Sequence, residues 1–151
     1  MKNHLIITAT LFFCVGCTSV SVRPVSSGLD IPDVCIEENP KVIVDDFLLV
    51  VRDGFERHGI ATKVVTKPAP KECEYVLTYT AFKNWDLGTY LHHAELRLER
   101  NGRIIGSAEY HLVNKGGLSL MKWQGTKTKM DPVIDELLAN IKVVNRVAGG
   151  V

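Results

Sequence analysis

The chain has 151 residues and almost no net charge, +1 with its histidines neutral. It therefore lacks the global basic footprint that a nucleic-acid partner requires. Of its four cysteines only Cys14 and Cys17 stand at CxxC spacing, at the end of the apolar amino-terminal run, whereas Cys35 and Cys73 do not; there is no G-x-S-x-G nucleophile motif, and no internal repeat is visible. Gly125-Thr126-Lys127-Thr128 lacks the upstream glycine spacing of a phosphate-cradling loop. The apolar run from Leu5 to Val15 is about half the ~20 residues that span a bilayer. These absences argue against thiol-redox, serine-hydrolase and P-loop chemistry. The expectation is a protein that is not an enzyme and carries neither cofactor nor resident metal.

The first residues show what is present. Lys2 leads into the apolar run, which ends at Gly16 and Cys17. Residues 1–16 thus read as a secretory signal peptide. Cys14-Val15-Gly16-Cys17 resembles the lipobox of bacterial lipoproteins, with Cys14 where that pattern usually has Leu. The resemblance implies cleavage before Cys17 and lipidation of its thiol, a membrane anchor whose acyl chains contribute about 0.8 kcal/mol per buried methylene. Thr18 follows the cysteine where lipoproteins retained in the inner membrane carry Asp. That points to the outer membrane, facing the periplasm.

Removing the leader takes Lys2 and brings the formal charge to zero. It also removes Cys14, and lipidation of Cys17 leaves Cys35 and Cys73 alone in an oxidising compartment. One disulfide between them is the economical expectation. It would constrain the unfolded chain by roughly 3–4 kcal/mol.

Residues 17–33 are rich in Ser, Pro and Gly and read as a flexible tether, followed by a single domain over 34–147 and a frayed tail over 148–151. Val34 to Glu37 reads as a first strand. Asn39-Pro40 suggests a helix start, and Ile43, Phe47, Val50, Val51 and Gly54 recur at helical spacing as far as His58-Gly59. Strands follow over Ile60 to Val65 and from Tyr75 onward. A hairpin runs from Thr89 to Val113, with a three-residue Arg100-Asn101-Gly102 loop that pairs Leu98 with Ile104 and His92 with Tyr110. A short strand is expected around Leu118 to Trp123. Asp131-Pro132 suggests the start of a second helix carrying Ile134, Leu137, Leu138, Ile141 and Val144. The fold class is α+β: an antiparallel or mixed sheet of about five strands with two helices on one face, in the order β-α-β-β-β-β-α.

Two places carry candidate chemistry. His93, Glu95, Glu109 and His111 share one strand face, with His93 opposite Glu109, a donor set that a metal accepts and that a solvated sheet face also produces. The segment Lys115 to Lys129 joins Lys115, Lys122, Lys127 and Lys129 to Trp123 without an acidic residue and is the preferred binding surface, suited to an envelope protein or an anionic glycan or lipid. Trp85-Asp86 with Tyr90 forms a smaller cluster of the same kind.

Four blocks carry a family likeness: Cys35-Ile36-Glu37-Glu38-Asn39-Pro40, Cys73-Glu74-Tyr75-Val76-Leu77-Thr78-Tyr79, His93-Ala94-Glu95-Leu96-Arg97-Leu98 and Trp123 through Pro132. They resemble the uncharacterised Sbal-type small lipoproteins of Gram-negative bacteria. The resemblance implies an outer-membrane lipoprotein with two body cysteines and implies no activity. The expected role is a non-catalytic binding or scaffolding module of the cell envelope. The alternative is a small metal-binding or hydrolytic envelope protein using His93, Glu109 and His111.

Overall fold

The computed structural model describes residues 18–113 and 119–141. The leader, Cys17, Lys115, Val144 and the tail lie outside the described residues. The elements are β1 (Thr18–Arg23), β2 (Asp33–Glu37), α1 (Phe47–Arg57), β3 (Ala61–Val65), β4 (Tyr75–Trp85), β5 (Thr89–Arg100), β6 (Arg103–Leu112), a 3₁₀ helix (Leu120–Trp123) and α2 (Thr126–Leu137). They build a six-stranded sheet in the order β1-β6-β5-β4-β2-β3. β2 runs parallel to β3 and β4, and the other pairings are antiparallel. The fold is α+β, as expected, and the sheet is mixed, with six strands where about five were expected.

Period-two burial decides which side the helices cover. Leu77, Tyr79 and Ala81 of β4, Ala94, Leu96 and Leu98 of β5 and Ala108, Tyr110 and Leu112 of β6 are buried in one core with Phe47, Val51 and Phe55 of α1 and Met130, Ile134 and Leu137 of α2. The helices approach closely because α1 has Gly54 at their contact: a Cβ there would lie 2.8 Å from Ile134 Cγ2. Cys35 on β2 is bonded to Cys73 just ahead of β4, with Cα atoms 5.9 Å apart and 38 positions between them in sequence. The disulfide thus ties the first strand of the expected body to the start of β4, as anticipated.

Five expectations need correction. Residues 17–33 are not a tether where described. β1 pairs with β6 from Thr18 opposite Leu112 to Arg23 opposite Ser107. Val25 and Ile31 are buried, and Val25 N–H donates to Leu137 O at 2.9 Å. The alternation of Val20 and Val22 with serines is a strand pattern that the Ser- and Pro-rich composition hides.

The first helix starts at Phe47, not behind Asn39-Pro40. Asn39 caps a local turn instead: its Oδ1 accepts from Lys41 N–H at 3.1 Å while its Nδ2 donates to Tyr79 O at 2.9 Å. The same polar groups that favour a helix start also satisfy a turn docked on β4. The second helix starts at Thr126, five residues before Asp131, with Pro132 in its interior. Thr128, whose carbonyl loses its intrahelical partner to Pro132, is exposed, which keeps the cost small.

The expected strand near Leu118 to Trp123 is a 3₁₀ helix over Leu120–Trp123, entered through Ser119, whose hydroxyl accepts from Met121 N–H. The hairpin turns on two residues, with Arg100 opposite Arg103 and both Asn101 (φ 50°) and Gly102 (φ 75°) left-handed. Glu99 then faces Ile104, but Leu98 faces Gly106, so Ile105 is the extra residue of a bulge. A tight Asn-Gly turn conflicts with burial only when the strands are regular. The bulge removes the conflict by shifting β6 one residue, so Leu96 and Leu98 face Ala108 and Gly106 in the core.

Candidate functional site

Two of the three described lysines of the expected basic surface are interior. Lys122 is 3% exposed and Lys129 7%. Lys122 Nζ pairs with Asp86 Oδ2 at 2.5 Å and lies 4.4 Å from the centre of the Trp123 ring. Trp123 Nε1 donates to Asp86 O at 2.8 Å. The Trp85-Asp86 cluster and the Lys122-Trp123 cluster are therefore one unit, which locks the 3₁₀ helix onto the β4–β5 turn.

Lys129 Nζ donates to Leu91 O at 3.1 Å and to Lys122 O, with the Tyr90 and Tyr110 rings 5.8 and 5.9 Å away. Burial lowers its pKa to about 8, because carbonyls and ring faces replace water around the ammonium. Lys127 is exposed and paired with Asp53 of α1 and Asp131 of its own helix. These contacts hold the Asp53 carboxyl below its usual range and raise the Lys127 ammonium. Each described lysine of the segment holds elements together. Nothing in their spacing signals this, since Lys122 and Lys129 find partners in the β4–β5 turn and on β5.

The histidine face forms with a changed register. His93 faces His111, and Glu95 faces Glu109, where His93 opposite Glu109 was expected. A second bulge between Phe82 and Lys83 pairs Phe82 with His93 and Lys83 with Leu91, leaving His92 as the extra residue. His92 does not face Tyr110; Ala94 does. The His92 and His93 rings both lie against His111, with centres 5.0 and 5.6 Å away, and Phe82 stacks on His93 at 5.8 Å. His93 Nδ1 is 3.8 Å from Glu109 Oε1, whereas Glu95 accepts from Arg97 Nε at 2.7 Å. Among the described residues no group of three or more His, Cys, Asp or Glu side chains is placed to hold a metal ion.

The sheet face opposite the helices holds a site that sequence reasoning missed. A groove of about 900 Å³ runs along it, with Thr78 and Thr80 of β4 and Glu95, Arg97 and Glu99 of β5 as its floor. Glu37 at the end of β2 and Glu38 and Asn39 after it, with Lys41 and Lys67, form its wall. Lys67 pairs with Glu37 at 3.6 Å and Arg97 with Glu95 at 2.7 Å. With Glu37, Glu38, Glu95 and Glu99 against Lys41, Lys67 and Arg97 along its lining, the groove carries both signs with a slight acidic excess. The period-two pattern of β4 and β5 marks these residues as one face. The wall depends on the parallel pairing of β2 with β4, which no local pattern announces.

No family model and no curated protein matches the chain. Solved structures share its fold, two of PelC among them. A PelC dodecamer from Paraburkholderia phytofirmans, in a methionine-substituted variant, is similar at TM-score 0.54 and 14% identity, covering 82% of this chain and 95% of that one. A second PelC dodecamer from the same organism is similar at TM-score 0.53 and 13% identity, covering 82% and 98%. At such identity the likeness is one of fold.

Proposed function

We propose that the chain is a lipoprotein of the outer membrane, anchored through Cys17 and facing the periplasm, whose domain binds or scaffolds another envelope component without catalysing a reaction. The observation that carries this reading is the groove on the uncovered sheet face. Its floor of alternating threonines and charged residues offers hydrogen-bond donors and acceptors in rows spaced along two strands, suited to an extended polar partner. Its slight acidic excess favours a strand bearing hydroxyl or cationic groups. The anionic partner expected from the basic segment loses support, since Lys122 and Lys129 are buried.

The Cys35–Cys73 bond supports an oxidising compartment. No helix among the described residues is long and apolar enough to cross a membrane. The fold shared with a dodecameric protein supports a module that works in several copies, an analogy of fold alone.

A photo-crosslinker at Thr80 in intact envelopes tests the reading. A stoichiometric adduct that disappears when Glu95→Lys and Glu99→Lys reverse the floor charge supports it. Absence of any adduct, with metal retained by the purified protein and lost in His93→Ala, His111→Ala, would transfer the function to the metal-binding alternative.

A further inference from the structure

The β4–β5 turn and the 3₁₀ helix expose an apolar cluster with no role in the core: Trp85 is 70% exposed, Leu87 85%, Leu120 81% and Met121 57%. Leu87 also holds φ at 57°. A branched, apolar residue in the left-handed region at a solvent-facing tip is unfavourable both in backbone and in hydration, a combination that folding alone does not explain. The tip is rigid by construction, because Trp123 Nε1 and Lys122 Nζ both bind Asp86. The same pairing offsets the carboxylate charge among the four apolar side chains.

The register shows where this tip points. Thr18 opens β1 opposite Leu112, His111 lies opposite His93, and Trp85 lies opposite Thr89. Thr18 and the tip are therefore at the same end of the sheet, three strand spacings or about 14 Å apart, with the tip projecting a few residues, roughly 7–10 Å, beyond Thr18. Thr18 is the residue after Cys17 and is already paired into the sheet, so β1 begins one residue from the anchor position. A domain held by acyl chains at Cys17 must bring this end to the bilayer.

We infer that Trp85, Leu87, Leu120 and Met121 form a membrane-docking tip that enters the boundary between headgroups and acyl chains of the leaflet carrying the anchor. The inference rests on the lipoprotein reading above. Trp suits that boundary, with an apolar ring and one polar edge. The acyl chains hold the protein on the membrane, and the tip sets its orientation, turning the strands toward the membrane normal.

The test uses the full chain matured in bacteria, reconstituted into phosphatidylethanolamine–phosphatidylglycerol vesicles with brominated acyl chains. Mass spectrometry of the mature amino terminus comes first: an unacylated Cys17 defeats the lipoprotein reading and removes the basis of this one. With Cys17 acylated, bromolipid should quench the wild-type tryptophan emission, and Trp85→Ser should abolish that quenching while the protein stays vesicle-bound. Leu87→Ser with Leu120→Ser should reduce the quenching without touching either tryptophan. An acylated, vesicle-bound protein whose emission ignores bromolipid and is quenched by aqueous iodide overturns the inference. So does a Trp85 shielded equally without vesicles in a crosslinkable dimer, which would make a second copy the occupant.

Discussion

Phe55 and Arg97 stand on opposite sides of one sheet and answer to different demands. On the covered side Phe55, with no exposed surface, fills the space between α1 and the sheet, and the neighbouring glycines are set by clearance: a Cβ at Gly106 would lie 2.7 Å from Val25 Cγ2. On the open side Arg97, Glu95 and Glu99 are charged, solvent-reaching and lightly paired. Interchanging polar groups on that side disturbs no packing. The difference teaches that stability is concentrated on one face, which leaves the other free to vary with a partner.

Two changes probe the stabilising side first. Phe55→Ala should lower stability by about 3–5 kcal/mol, since it removes buried area and leaves a cavity under a helix that cannot collapse onto the sheet. Denaturant unfolding of the oxidised protein measures it. Breaking the disulfide by Cys35→Ser with Cys73→Ser should cost about 3–4 kcal/mol, by releasing a 38-position loop in the unfolded chain. Unlike Phe55→Ala, that loss should vanish when both proteins are compared under reducing conditions.

Lys129 gives a pH-dependent contrast. Its pKa is about 8 in the folded chain against 10.5 in the unfolded one. Below about 8 both states bind the proton and the burial cost is present in full. Between about 8 and 10.5 the unfolded chain keeps the proton that the folded chain releases, so this group makes stability rise with pH. The rise is bounded by roughly 3 kcal/mol. Unfolding measured at roughly pH 7 and roughly pH 10 should show the gain in the wild type and lose it in Lys129→Met, whatever the variant's stability at neutral pH. An equal slope in both proteins would mean the ammonium stays hydrated.

What could be read in advance follows the range of the interactions. β4, β5 and the helices were visible because each buries one face at its own period, and the Cys35–Cys73 bond because no other pair was left. The starts of α1 and α2 were misplaced because Asn39-Pro40 and Asp131-Pro132 carry cap chemistry that Tyr79 and Arg57 use through tertiary contacts. The hairpin was misjudged by assuming regular strands, when a bulge at Ile105 reconciles the two-residue turn with burial. Lys122 and Lys129 looked like surface because their partners lie 36 to 38 positions away. The groove went unseen because its wall is assembled by a parallel pairing.

The smallest expected effect on stability falls on the open face and bears most directly on function. Arg97 donates from Nε to Glu95 two residues away, and this pairing raises its pKa, yet both side chains reach solvent. Pairs of this kind contribute under about 1 kcal/mol, because water screens the attraction and both side chains lose freedom in making it. Arg97→Ala should therefore leave the unfolding midpoint close to wild type while exposing the Glu95 carboxylate and making the groove floor more acidic. If the groove takes a strand with hydroxyl or cationic groups, the Thr80 crosslink should persist or strengthen, most visibly at low salt, where the Debye length is longest. A loss of stability on the scale of Phe55→Ala would show that this face also supports the fold. A crosslink abolished by Arg97→Ala at unchanged stability would assign the guanidinium, not the carboxylates, to the partner and reverse the charge expected of it.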